Sequence, residues 1–127
     1  MDVRDAVEAD AERLAELTDA PADVMRNLVH DRTVRVAVED ESVVGFVSYD
    51  ARERTVHVTQ LEGDEAACER LLEEPLRFAE GEGMNVELLV PEVEEEVQSV
   101  AERSGFDHVG NGPRFEGTRT VRYRLEH

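Results

Sequence analysis

Apolar positions along the chain follow two spacings, and each spacing predicts a different kind of element. Val34, Val36 and Val38 alternate with polar or small residues, as in a β-strand with one buried face. Residues at helical spacing follow the first strand: Val7, Ala11, Leu14 and Leu17. The run "MNVELLV" at 84–90 is too apolar to be half exposed, which predicts an interior strand. The chain therefore combines helices with both surface and interior strands.

The same patterns, with their turn residues, place every element. Strands are predicted at 1–6, 33–39, 43–49, 55–60, 84–90, 105–110 and 118–124, and helices at 8–19, 22–30, 64 to about 79 and 92–104. The resulting order is β-α-α-β-β-β-α-β-α-β-β. Pro75 falls inside the third helix, where its ring removes a backbone donor, so we expect it to bend or end that helix.

The length of the chain predicts one domain. We assign that domain to residues 1–124 and find neither an internal repeat nor a linker. The final "LEH" (125–127) resembles the start of a cloning scar and histidine tag, so these residues are left out of the functional interpretation.

The charge of the chain is strongly acidic. Asp and Glu number 31 against 14 basic residues, all of them Arg, for a net charge of −17. In about 1 M salt the Debye length falls to ~3 Å, so such a surface hardly repels itself. This composition is expected of an extreme halophile, and it disfavours nucleic acid and anionic membranes as partners.

The number and spacing of the cysteine and histidine residues bear on whether the protein forms disulfides or binds a metal ion. Cys68 is the sole cysteine, so no intrachain disulfide can form. His30, His57 and His108 lack the spacing of metal ligands, so no metal site is predicted. There is no signal peptide or membrane-length apolar run, which leads us to expect a cytoplasmic protein.

The order of elements resembles that of the GNAT superfamily of acyl-CoA-dependent N-acetyltransferases over essentially the whole chain. "MDVRDAVEADAERLAEL" is similar to the family's opening strand and helix, "VVGFVS" to its third strand, and "AERSGFDHVG" to the segment that enters its sixth. The resemblance implies an α/β (α+β) fold with a mixed central sheet of about six to seven strands and about four helices.

The resemblance also implies a binding turn for acetyl-CoA after the fourth strand. In the family, a turn of the pattern [Q/R]-x-x-G-x-[G/A] holds the CoA pyrophosphate through backbone N–H groups at a helix N-terminus. One register, with Val58 as the strand valine, places Gly63 at the Gln/Arg position and Ala66 and Cys68 at the small positions. A second register uses Gln60 and Gly63 instead. The implied cofactor-binding residues are Val58, Gln60, Gly63, Glu65, Ala66, Ala67 and Cys68.

Asp64 and Glu65 give this turn a negative charge. Carboxylates in the first turn of a helix are favoured by its dipole, so Asp64 is interpreted as a helix cap and Glu65 as a solvated side chain. Phosphate binding through backbone donors is compatible with that interpretation if both carboxylates point away, and molar salt would screen the repulsion.

Catalytic candidates are fewer. His57 lies in the fourth strand, on the face opposite to that of Val56 and Val58, and an imidazole can deprotonate an amine near neutral pH.

Ala101 stands where many family members carry a tyrosine that acts as the acid. Tyr49 and Tyr123 are possible substitutes, although both fit packing roles. Cys68 is interpreted as a small buried residue rather than a nucleophile. The C-terminal arginines either meet an anionic substrate or pair with surface carboxylates: Arg114, Arg119, Arg122 and Arg124.

Two functions remain open. The first is an N-acetyltransferase that moves an acetyl group from acetyl-CoA to a small-molecule or peptide amine. The second is a catalytically degenerate module of the same fold that binds a ligand or forms a homodimer.

Overall fold

The computed structural model describes residues 1–114 and 117–126. Residues 115 and 116, between the predicted strands at 105–110 and 118–124, and the last residue of the predicted tag remnant lie outside the described residues. The strands are β1 (Asp2–Asp5), β2 (Thr33–Glu39), β3 (Ser42–Arg52), β4 (Thr55–Glu62), β5 (Asn85–Pro91), β6 (Asp107–Asn111) and β7 (Thr120–Leu125). The helices are a short 3₁₀ turn (Glu8–Asp10), α1 (Ala11–Thr18), α2 (Ala22–Asp31), α3 (Glu65–Glu82) and α4 (Glu95–Arg103).

Within the described residues, seven strands form one mixed sheet in the order β1-β2-β3-β4-β5-β7-β6. Neighbours pair antiparallel except β4 and β5, which are parallel and joined by α3. The element order and the mixed sheet predicted from the sequence are therefore confirmed.

Helices cover the two faces of the sheet unequally. On one face α3 and α4 pack on the sheet through a buried apolar cluster that includes Leu71, Leu72 and Val100. On the other face α1 and α2 cover a smaller cluster that includes Leu14 and Phe46. The second cluster lies over β2 and β3, which leaves the α1–α2 side of the β4–β5 boundary accessible.

Pro75 neither ends nor shortens α3, because the helix continues to Glu82 and closes at Gly83, whose φ of 66° is left-handed. Of the two predicted outcomes, an end of the helix at Pro75 is wrong, and a bend there stays a prediction. Leu71, Leu72 and Ala79 are fully buried before and after it. Packing of this apolar face on the sheet outweighs the ~3 kcal/mol that an interior proline costs a helix.

The start of α4 also differs from the prediction. The sequence places Val93 on the buried face of a helix that begins at residue 92, whereas α4 begins at Glu95 and Val93 is 79% exposed. Val97 and Val100 are buried as predicted. The turn before α4 borders the cavity described below, so this difference changes which residues face it.

Candidate functional site

The boundary between β4 and β5 opens into a gap. The two strands pair only from Thr55 with Asn85 to Val58 with Leu88. Beyond Val58, β4 continues to Glu62 and β5 to Pro91 without pairing to each other. A parallel sheet that separates at its carboxyl ends is where folds of this kind place a ligand.

A bulge at Thr59 directs β4 away from β5. Tyr49 pairs with Val58 and Ser48 with Gln60, so Thr59 is an extra residue in β4. The bulge is held by side chains, because the Ser48 and Thr59 hydroxyl oxygens lie 2.6 Å apart. Thr59 Oγ1 also donates to the Ser48 carbonyl oxygen at 3.2 Å. Bulges bend the strand that carries them, which accounts for the separation.

Three neighbouring cavities lie at this boundary, namely the gap and one cavity on each side of it. The gap itself holds about 170 Å³ between Thr59–Glu62 and Leu88–Pro91. On the helix side, a cavity of about 360 Å³ is lined by Gly63 and by residues 93–97. On the opposite face, a cavity of about 270 Å³ lies beside His57. Each outer cavity shares wall residues with the gap, so the three adjoin one another from one face of the sheet to the other, and we refer to this row of cavities as the passage.

Two glycines bring β3 against the turn before α3. A Cβ added at Gly45 would lie 2.5 Å from the carbonyl oxygen of Glu62, and its Cα lies 3.3 Å from a Cβ built at Gly63. The φ of Gly63 is 137°, which disfavours any other residue. This close approach fixes the position of the α3 N-terminus at the edge of the helix-side cavity.

The first turn of α3 offers fewer donors than the sequence implies. Asp64 caps the helix, with Oδ1 accepting from the Ala67 amide at 2.8 Å and its carbonyl accepting from the Cys68 amide at 2.9 Å. Two of the four amides from Glu65 to Cys68 are therefore already occupied. The amides of Glu65 and Ala66, at the first two helical positions, have no acceptor within the helix.

The carboxylates of this turn point away from the gap. The Asp64 side chain is occupied by capping, which confirms the predicted cap. Glu65 Oε1 lies 2.7 Å from Arg103 Nη1 at the end of α4, so its charge is neutralised laterally. Neither residue is among those that line the gap or the helix-side cavity.

Four other carboxylates line the helix-side cavity and were not singled out by the sequence: Glu62, Glu94, Glu95 and Glu96. Glu62 and Glu94 line both this cavity and the gap. Burial, and then the charge of Glu94, raise the pKa of Glu62 to about 7. Burial also raises the pKa of Glu94. Their placement depends on the bulge and on the late start of α4, which leave no mark in the periodicity of the sequence.

The remaining predicted binding residues occupy distinct places. Val58 is 2% exposed and forms the last β4–β5 pair. Gln60 lines the gap and also a cavity of about 550 Å³ beneath α2. Cys68 is 1% exposed, and burial, with smaller effects from Glu62 and Glu94, raises the pKa of its thiol to about 12. Cys68 is therefore a packing residue that stays a thiol.

His57 lies on the face opposite α3, at the mouth of the passage. Its cavity is also lined by Thr59, Leu89 and Thr120. Its direct cross-strand partners are Asp50 on β3 and Glu87 on β5. The predicted base is therefore next to the gap, and it lies between two carboxylates.

The predicted substitutes for the tyrosine acid lie elsewhere. Tyr49 packs against Phe78 on α3, with ring centroids 6.2 Å apart. Tyr123 is 2% exposed and donates to Glu102 Oε2 at 3.1 Å, while burial and that hydrogen bond raise the pKa of its phenol. Neither ring is among the residues that line the three cavities. Ala101 is fully buried.

Two of the C-terminal arginines pair with a carboxylate, which is the second of the two alternatives predicted for them. Arg124 Nη1 lies 2.7 Å from Glu87 Oε2, and Arg122 Nε lies 3.5 Å from Glu87 Oε1.

Within residues 1–114 and 117–126, no three His, Cys, Asp or Glu side chains are placed to hold a metal ion. No helix in this part of the chain is long and apolar enough to cross a membrane.

Comparison with solved structures identifies the fold. No protein-family model and no curated protein matches the sequence. A ribosomal-protein-alanine N-acetyltransferase from Brucella melitensis is similar with a TM-score of 0.82 and 15% identity, covering 100% of both chains. A Desulfovibrio desulfuricans protein assigned to the GNAT family gives 0.76 and 22%, covering 98% of each chain.

A third structure includes a ligand. A Salmonella typhimurium protein solved with its cofactor acetyl-CoA gives a TM-score of 0.80 at 17% identity, covering 99% of this chain and 93% of the other. Likeness at such low identity establishes architecture rather than chemistry. The chain has the GNAT fold.

Proposed function

We propose that the protein is an acyl-CoA-dependent N-acetyltransferase that transfers an acetyl group from acetyl-CoA to an amine. The observation that supports this most is the passage at the β4–β5 gap. It begins at the α3 N-terminus on one face of the sheet and ends beside His57 on the other. A donor threaded through this passage from the helix side would present its thioester to an acceptor on the His57 side.

The main chain suits such a donor. The amides of Glu65 and Ala66 and the positive end of the α3 dipole would receive the pyrophosphate. Gly63, two residues before Glu65, lines the helix-side cavity and adds no side chain there. The gap beyond Val58 is bordered by Leu61, Leu88 and Val90, which suit the thin pantetheine arm.

The acidic side chains around this site are less favourable for an anionic donor such as acetyl-CoA. Asp64 occupies the Ala67 amide, and Glu62 and Glu94 bring carboxyl groups into the cavity that would receive an anion. The raised pKa of Glu62, about 7, reduces this repulsion because the group is partly neutral near that pH. Salt would reduce it further. The resulting donor site works best in brine or at slightly acidic pH.

His57 would accept the proton of the attacking amine, directly or through a water. A backbone N–H near Val58 would stabilise the negative charge that develops on the thioester oxygen. The amine nitrogen forms a bond to the acetyl carbon, the carbon–sulfur bond breaks, and the thiolate leaves. The leaving thiolate takes its proton from solvent, since the two tyrosines lie outside the passage.

The acceptor is proposed only as a class, a small-molecule or peptide primary amine. The name of the Brucella neighbour refers to an alanine of a ribosomal protein, which is compatible with the peptide alternative. The groove beneath α2, lined by Met25, Leu28 and Gln60, is where such an acceptor would extend.

Acetyl transfer to a panel of amines and N-terminal peptides in molar KCl tests this function. Thiol release that requires an amine, with an acetylated product seen by mass spectrometry, is the expected result. His57→Gln should lose about 100-fold in kcat/KM, as expected for a general base, while retaining acetyl-CoA binding. Glu41→Gln, a charge change in the exposed β2–β3 turn, is the matched control.

A catalytically degenerate module is the second candidate, because Ala101 fills the usual acid position and Asp64 occupies one amide. Acetyl-CoA binding without transfer to any acceptor would favour it.

A further inference from the structure

His57 and Asp50 are direct neighbours on the sheet face that carries the proposed acceptor side. They are paired across antiparallel strands β4 and β3, and directly opposed residues have Cβ atoms about 4.5–5.5 Å apart. A carboxylate and an imidazole at that separation can form a hydrogen bond after a side-chain rotation. The structure shows no such bond, and both side chains have the reach for it.

One carboxylate oxygen of Asp50 accepts a hydrogen bond, and the other has no donor. Oδ2 accepts from Arg32 Nη1 at the end of α2 and lies 3.7 Å from Arg52 Nε. Oδ1 is buried and has no hydrogen-bond partner among the described residues. A buried carboxylate oxygen without a donor costs free energy, so a donor that turns toward it is favoured.

Glu87 is the competing carboxylate, because it is paired with His57 on the other side. Both of its oxygens lie beside an arginine: Oε2 accepts a hydrogen bond from Arg124 Nη1 at 2.7 Å, and Oε1 forms an ion pair with Arg122 Nε at 3.5 Å. The charged groups around His57 are thus Asp50 and Arg52 from β3 and Glu87 from β5, with Arg32 reaching in from α2. Among them, Asp50 Oδ1 is the acceptor without a partner.

We propose that Asp50 is a positioning residue for His57. Its Oδ1 accepts a hydrogen bond from His57 Nδ1–H, which fixes the tautomer whose Nε2 lone pair faces the cavity. The bond that the second ring nitrogen makes sets which nitrogen can act as base. Arg32 holds the carboxylate in place through Oδ2. The proposal rests on His57 as the base of the proposed function.

The test is the tautomer of His57, observed by ¹⁵N NMR of histidine-labelled protein in molar KCl. Signals of the four histidines are assigned by the one that disappears in His57→Gln. We expect Nδ1–H to be the major tautomer of His57 in the wild-type protein. In Asp50→Asn the population should move toward Nε2–H, and in Glu87→Gln it should not change.

Each alternative result overturns the proposal. A wild-type protein with mainly Nε2–H contradicts it without any variant, so a fold defect in Asp50→Asn cannot hide its failure. An unchanged tautomer in folded Asp50→Asn, or a change in Glu87→Gln instead, would show that Asp50 is not the partner.

A kinetic measurement separates this inference from the proposed function. If transfer is observed, Asp50→Asn should lower kcat/KM about 10-fold, within the contribution of a general base. Absence of transfer would contradict the proposed function and leave the NMR result to decide the Asp50–His57 contact by itself.

Discussion

At the scale of single residues, four carboxylates near the α3 N-terminus have different partners. Asp64 caps the helix and Glu65 pairs with Arg103, whereas Glu62 and Glu94 face the cavity. The sequence draws attention to the first two because they are adjacent in the turn. In the structure, the carboxylates that would repel an anionic donor are Glu62 and Glu94, because they line its proposed path.

Glu62 makes stability depend on pH. Its folded pKa of about 7 lies above the ordinary 4.5, so the folded state binds the proton more tightly than the unfolded state. The ionised group therefore destabilises the fold, and this loss grows as pH rises between those two values. Glu62→Gln should leave the free energy of unfolding nearly unchanged at about pH 4 and raise it at about pH 8.

Chemical denaturation at both pH values measures this. Glu96→Gln removes a charge from an exposed position of the same cavity and serves as the control. A gain in Glu62→Gln that is equal at both pH values would contradict the assignment.

At the scale of elements, the gap depends on β3 lying against the β4–α3 turn at Gly45. Gly45→Ala places a Cβ 2.5 Å from the Glu62 carbonyl oxygen, a backbone atom that cannot move alone. We expect a loss of about 1–3 kcal/mol in the free energy of unfolding, as for other overpacked sites. Acetyl-CoA binding should weaken as well, because the turn at the cavity edge shifts.

Gly81→Ala is the matched control for this change. Gly81 lies in α3, is exposed, and has nothing within 4 Å of an added Cβ. It should stabilise the protein by about 0.5–1 kcal/mol through helix propensity. Thermal melts of the two variants should therefore move in opposite directions, and a stabilised Gly45→Ala would show that the close approach is not tight.

Elements are also the scale at which sequence-based prediction succeeded. The spacing of apolar residues shows which face of an element is buried, as with Val34 and Val36 in a strand and Val97 and Val100 in a helix. This spacing identifies each element as a strand or a helix, and so predicts their order along the chain. An end of α3 at Pro75 was wrongly allowed for, because local propensity was weighed without the packing of α3 on the sheet. The bulge at Thr59 depends on the register of β3 against β4, which no local pattern encodes.

At the scale of the whole molecule, the net charge of −17 dominates behaviour in dilute buffer. Unscreened carboxylates repel one another and destabilise the compact state. The melting temperature should rise as KCl is increased from about 0.1 to 3 M, because screening shortens the range of that repulsion. A midpoint that stays flat or falls would contradict a halophilic origin.

The central claim is that the passage at the β4–β5 gap binds acetyl-CoA, and titration calorimetry at several KCl concentrations tests it most directly. We expect the wild-type protein to bind in molar KCl and to bind more weakly on dilution, because Glu62 and Glu94 repel the pyrophosphate when unscreened. Ordinary phosphate contacts weaken as salt rises, which is the opposite trend. Glu62→Gln should bind more tightly, chiefly at low salt, whereas the double change Asp64→Asn and Glu65→Gly should have a smaller effect. Absence of binding by all three proteins at every salt concentration would contradict the account.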